Sequence, residues 1–168
     1  ERGDGLDLRL QLGSLEAETI VLAGRTWTRL GIADGAEAGQ PGRPTLPVWT
    51  TLVVVPDGAT LSVDGRVTQR RDLGGLDLLP WQPQSRGEPV VDEAWYAAAQ
   101  PTRAPLVSVG EPARLGGISV APVAVRPVQY DPATRTVTVA TDLTVTVSWT
   151  DGAPADPATV SARSARLV

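Results

Sequence analysis

The chain has 168 residues, 42% of them hydrophobic, and a formal net charge of −4, which is one domain's length with enough apolar side chains to form a core without staples. It contains no Cys, His, Met, Phe, Lys or Asn, so a thiol nucleophile, an imidazole base, the usual zinc sites and a Ser-His-Asp triad are excluded. The acidic balance argues against nucleic acid, and no apolar run approaches the ~20 residues of a membrane helix.

The first ten residues are polar and alternating, so they form no signal peptide; the missing initiator Met is compatible with a signal already removed. Leu6, Leu8, Leu10 and Leu12 alternate with Asp7, Arg9 and Gln11, a period of two that predicts a strand with one buried face. Thr19 to Ala23 and Arg25 to Ile32 flank Gly24 and predict two strands joined by a turn. Asp34 to Pro44, rich in Gly, Ala and Pro, reads as a loop. Val48 to Val55 is the next strand, containing the longest β-branched run, Leu52-Val53-Val54-Val55, and ended by Pro56-Asp57-Gly58. Thr60 to Val63 and Arg66 to Arg71 predict a hairpin around Asp64-Gly65, a favoured two-residue turn.

Pro80 to Pro112 carries six prolines and little periodicity; long irregular segments inside domains are usually functional or disordered. Asp92 to Gln100 predicts a short helical turn with Asp92 as its N-cap. Ile118 to Tyr130 is extended, and Pro122 and Pro127 demand an edge or a bulge. Asp131 to Arg135 is a turn. From Val137 to Trp149 the odd positions are mostly apolar and the even ones mostly Thr, which predicts one long strand, or two joined by a bulge near Thr141-Asp142. Residues 1–150 therefore read as an all-β domain, an antiparallel β-sandwich, and residues 151–168 as a linker or tail.

Two phrases go beyond this pattern. One is Gly42-Arg43-Pro44-Thr45-Leu46-Pro47-Val48, followed after three residues by Leu52 to Ala59 with Pro56 at the strand's end. The other is Val123 to Thr134, containing Pro127-Val128-Gln129-Tyr130-Asp131-Pro132, followed by the Thr/Val strand. In this order, with Trp95-Tyr96 in a proline-rich middle, they resemble the N-terminal propeptide of the gingipain family of cysteine peptidases, over roughly Leu15 to Trp149. Both phrases also have a purely structural reading: Pro47 fixes φ at a strand entry, and the Tyr130 hydroxyl can reach a backbone group and pin its hairpin.

The resemblance implies a jelly-roll or carbohydrate-binding-module-like sandwich from a secreted bacterial zymogen. Such a domain docks on the side of its catalytic domain, assists its folding and keeps it latent. A propeptide loop presents an Arg or Lys to the S1 pocket. The catalytic residues lie downstream, in the domain to which 151–168 would lead. No enzyme activity, cofactor or metal is implied for this chain, and its partner is the cognate peptidase domain, with no nucleic acid or membrane.

An inhibitory anchor needs a basic residue on a stiff, exposed segment, and Arg pairs bidentately with a carboxylate. Arg103, in Gln100-Pro101-Thr102-Arg103-Ala104-Pro105, fits best, because flanking prolines reduce the entropy lost on docking. Arg86 and Arg114 follow. With fifteen arginines present, each is also readable as an ordinary solvated charge. Arg163 and Arg166 in the small-residue tail are candidate processing sites. The alternative function is a glycan- or surface-binding module, using Trp81 or Trp95 as a stacking platform, with Trp49 and Trp149 in the core. Asp4, Asp7, Asp57, Asp64, Asp131, Asp142 and Asp151 offer oxygen ligands for calcium, but in no EF-hand spacing.

Overall fold

A computed structural model describes residues 4–83, 87–98, 101–102 and 104–152. The elements in chain order are β1 (Gly5–Gln11), β2 (Leu15–Leu22), β3 (Arg25–Ile32), β4 (Ala36–Ala38), β5 (Leu46–Val54), β6 (Thr60–Leu73), α1 (Glu93–Ala97), β7 (Val107–Val109), β8 (Ala113–Leu115), β9 (Ile118–Val125), β10 (Val128–Asp131) and β11 (Thr136–Thr150). The expected architecture forms: all-β, with antiparallel sheets packed as a sandwich.

The Thr/Val strand organises the first sheet. From Val137 to Thr150, with a break at Thr141, β11 pairs with β6; on its other side it pairs with β1 from Asp142 to Ser148 and with β10 from Thr136 to Val139. The handover falls at a register shift around Asp142, where the sequence placed a bulge. Leu12 N–H there donates to Thr141 O, and Ala140 N–H to Pro127 O, so the interrupted ladder stays satisfied. Asp142 is buried at 8% exposure, and its carboxylate accepts a hydrogen bond from Arg9 of β1 at 3.1 Å.

The second sheet runs β4-β5-β9, with β7 and β8 end to end along the far edge of β9. Its inner face, with Val53, Val55, Ala121, Val123 and Val125, packs on Leu143, Val145 and Val147 of β11. A second core gathers Leu30, Leu78, Val128, Tyr130, Val137 and Val139. The β2-β3 hairpin lies over this part and is held to it by Thr28 N–H donating to Asp77 O, at 2.7 Å, and Leu79 N–H to Thr28 O, at 2.9 Å. Its turn residues Ala23 and Gly24 both have positive φ, 51° and 72°, as a tight two-residue hairpin turn requires.

Three local expectations are overturned, and a fourth, the edge at Pro122, is met in an unexpected way. Asp64-Gly65 is not a turn: both residues lie inside the single 14-residue strand β6, opposite Thr146 and Val145. The 15-residue β11 pairs with both residues and with their neighbours on either side, and that ladder outweighs the local turn preference. The Asp34–Pro44 loop holds the short strand β4, and the irregular middle holds β7. Pro122 lies within a strand paired on both sides, but its carbonyl points to the gap between β7 and β8, accepting from Gly110 N–H at 2.8 Å. Its missing N–H faces the same gap, so the local effect is that of an edge. The helical turn forms as expected, with Trp95 N–H donating to the Asp92 carboxylate at 3.0 Å. The tail, 153–168, lies outside the described residues.

Candidate docking site

The Pro101–Leu106 segment is fastened at both ends. Thr102 N–H donates to Tyr130 O at 2.9 Å, and Tyr130 N–H donates to Thr102 Oγ1 at 2.9 Å. Further along, Arg126 N–H donates to Leu106 O at 2.7 Å. Pro101, Ala104 and Pro105 are exposed between and beside these anchors.

The fixed point beneath Thr102 is itself rigid. Tyr130 is 1% exposed, and its hydroxyl donates to Leu76 O at 2.9 Å. That bond reaches across to the segment after β6 and does not pin Tyr130's own hairpin, as the sequence suggested. The Tyr130 ring stacks on Trp95 with centroids 6.5 Å apart; Trp95 meets Tyr96 edge-on at 5.2 Å, and Tyr96 meets Trp27 at 5.4 Å. Tyr96 donates its hydroxyl proton to Leu78 O at 2.8 Å. Burial raises the pKa of both tyrosines, so both stay neutral donors.

A groove of about 510 Å³ opens beside this column, lined by Leu46, Val48, Trp95, Pro101, Thr102, Ala104 and Arg126 among others. The Pro44–Val48 phrase builds its floor. Gly42 N–H donates to Trp81 O, Trp81 N–H to Arg43 O, and Thr45 N–H to Leu79 O. Gly42 has φ of +78°, and a Cβ there would lie 2.7 Å from Asp92 N, so glycine alone lets the two segments lie this close. Pro127 to Pro132 supplies β10 and the turn after it, where Ala133 N–H donates to the Asp131 carboxylate.

The candidate arginines differ in what surrounds them. Arg103, Arg86, Arg163 and Arg166 lie outside the described residues, but the flanks of the first two are described. Arg103 follows Thr102 directly. Beside Arg86 in sequence, the Gln82 amide donates to Pro80 O and Val90 O and accepts from Val90 N–H. Arg114, on β8, is exposed, but its guanidinium already pairs with the Asp57 carboxylate, which also accepts from the Ser119 hydroxyl. Thr102 and Gln82 are the positioning residues that the sequence reading missed: each bonds to a partner that only folding brings within reach.

None of the five Trp and two Tyr is fully exposed. Trp49 and Trp149 pack against the main core, as expected. Trp95 is bound into the aromatic column, and Trp81 is half-buried. Among the described residues no three carboxylates gather where they could hold a metal ion, and no helix is long and apolar enough to cross a membrane.

The same β-sandwich fold is found in two solved gingipain structures. The structure reported as insight into zymogenic latency of gingipain K from Porphyromonas gingivalis matches with a TM-score of 0.80 at 24% identity, covering 90% of each chain. The complex of P. gingivalis RgpB pro- and mature domains matches with a TM-score of 0.80 at 18% identity, covering 93% of this chain and 84% of that one. The chain belongs to the Propeptide_C25 family, whose model matches residues 9–164. It is therefore a propeptide domain of a peptidase zymogen, not itself catalytic. Among curated proteins, Lys-gingipain HG66 of P. gingivalis is 26% identical over 155 residues, and Lys-gingipain W83 is 25% identical. The match spans 85% of this chain but only 9% of those relatives' length.

Proposed function

We propose that this domain holds a gingipain-like cysteine peptidase latent and assists its folding, by docking on the catalytic domain and occluding its active-site cleft. The pair of hydrogen bonds between Thr102 and Tyr130 carries the reading. It fastens the residue before Arg103 to a buried strand, so an arginine presented there loses little freedom on entering an S1 pocket. The exposed prolines at 101 and 105 stiffen the same segment. Arg86 is the second candidate anchor. Arg114 ranks last, because Asp57 already holds its charge.

The partner is the cognate catalytic domain, which residues 151–168 would lead to. Cleavage after Arg163 or Arg166 would separate the two. Export through the periplasm to the exterior follows from this role.

The test is inhibition of the cognate catalytic domain, supplied in trans, by this chain and by its Arg103→Ala, Arg86→Ala and Arg114→Ala variants. Tight inhibition lost in Arg103→Ala and kept in Arg114→Ala is expected. If the chain neither binds nor inhibits that domain, the reading is wrong.

A further inference from the structure

The sandwich covers only one face of its second sheet, although the sequence writes both faces for burial. Strands buried on both faces read as unbroken apolar runs, and the end of β5 with the residue after it reads Leu52-Val53-Val54-Val55. Val53 and Val55 point into the core at 4% and 1% exposure, whereas Leu52 and Val54 point away at 57% and 48%. The register extends the outer surface across three strands. Leu52 lies opposite Pro122, Val54 opposite Val120, and Leu115 of β8, 59% exposed, opposite Ile118. Neighbouring residues across a ladder share a face, so Leu52, Val54, Leu115, Pro122 and Ile118 form one apolar patch around Val120, which is itself buried at 8% exposure. Leu52, Val54 and Leu115 are three of only five large hydrophobics that are exposed among the described residues.

Two positions connect this patch to a partner. The described chain ends at Gly152, where a Cβ would lie 3.0 Å from atoms of Asp57 and Ala59, just past the end of β5. The last described residue therefore lies at the patch's edge. At the opposite end of the same outer face, Thr50, Ala124 and Ser108 are aligned, and Arg126 donates to Ser108 Oγ at 2.9 Å. Arg126 also lines the groove beside Thr102 and Ala104. One face thus runs from the chain's exit to the proposed inhibitory segment.

We infer that the outer face of the β5–β9–β8 sheet, centred on Leu52, Val54 and Leu115, is the surface that seats the peptidase domain. This rests on the proposed inhibitory role and adds the face that performs it. A tethered domain that covers this patch contacts the exit and the Arg103 segment together. The patch then supplies hydrophobic burial, while the arginine supplies specificity.

The chain has no cysteine, so single thiols can report burial. Leu52→Cys, Leu115→Cys and, on the remote strand β2, Val21→Cys would be alkylated with and without the cognate catalytic domain and read by mass on this chain. Leu52→Glu and Leu115→Glu would be assayed for inhibition beside Val21→Glu. Protection of the thiols at 52 and 115 alone, with inhibition weakened about tenfold or more by the two patch charges, is the expected result. Normal inhibition with unprotected thiols at 52 and 115 would overturn this face but leave the inhibitory role standing. If those two thiols are instead shielded in the chain alone as its concentration rises, a second copy covers the patch and the inference fails. Loss of binding by the unaltered chain would remove the inhibitory role as well.

Discussion

A Cβ placed on Gly65 would lie 2.9 Å from Val107 Cγ1 and 3.1 Å from Leu106 Cδ2. The glycine in the middle of β6 is thus a contact site for the segment that follows Pro105, not a turn residue. Gly65→Ala is expected to lower stability by about 1–3 kcal/mol, as overpacked sites do, measured by urea unfolding. Because Leu106 O anchors the far end of the Arg103 segment, the same variant should also inhibit the peptidase more weakly.

Thr102→Val keeps the side chain's shape but removes the acceptor for Tyr130 N–H. A buried donor left without its partner costs about 1–3 kcal/mol. The expected outcome is that loss in urea unfolding, together with a higher inhibition constant. Thr102→Ser, which restores the oxygen, should recover most of both.

Stability should fall in strong alkali. Tyr96 and Tyr130 have pKa values raised above their ordinary 10.0, chiefly by burial. The unfolded chain releases these protons near pH 10 while the folded chain keeps them, so folding stability is intact below that point and declines above it. Denaturant midpoints measured from pH 8 to 11 should drop at the alkaline end, and Tyr96→Phe should flatten the drop.

Asp142 gives the opposite dependence. The hydrogen bond from Arg9 is the main cause that holds its pKa below the ordinary 3.8. Its contribution is present above that value and is lost as pH falls through the lower folded value. Arg9→Gln should therefore make acid unfolding begin at higher pH, and Asp142→Asn should remove this part of the acid dependence. Midpoints between pH 2 and 6 would show either change.

The alternation from Val137 to Trp149, the bulge near Thr141-Asp142 and the Asp92 cap were legible because each depends on neighbours in sequence. Period two fixes which side chains share a face, and a cap needs only the next three residues. The two proline-bearing phrases carried the family resemblance for a related reason: Pro and Gly restrict φ wherever they stand. The identity of the fold class and of the family thus lay within the chain's local chemistry.

What only the tertiary structure decided involves residues distant in sequence. Asp64-Gly65 has the composition of a turn, yet β11 pairs with β6 on both sides of it and keeps it in the strand. The Tyr130 hydroxyl bonds to Leu76, 54 residues away, and Thr102 fastens to a strand 28 residues on. The outer faces of Leu52 and Leu115 become one surface only because β9 lies between their strands. Local propensity is worth a few tenths of a kcal/mol to about one per residue, whereas an unmet pairing partner or a buried orphan donor costs more. Where the two conflicted, long-range pairing set the conformation.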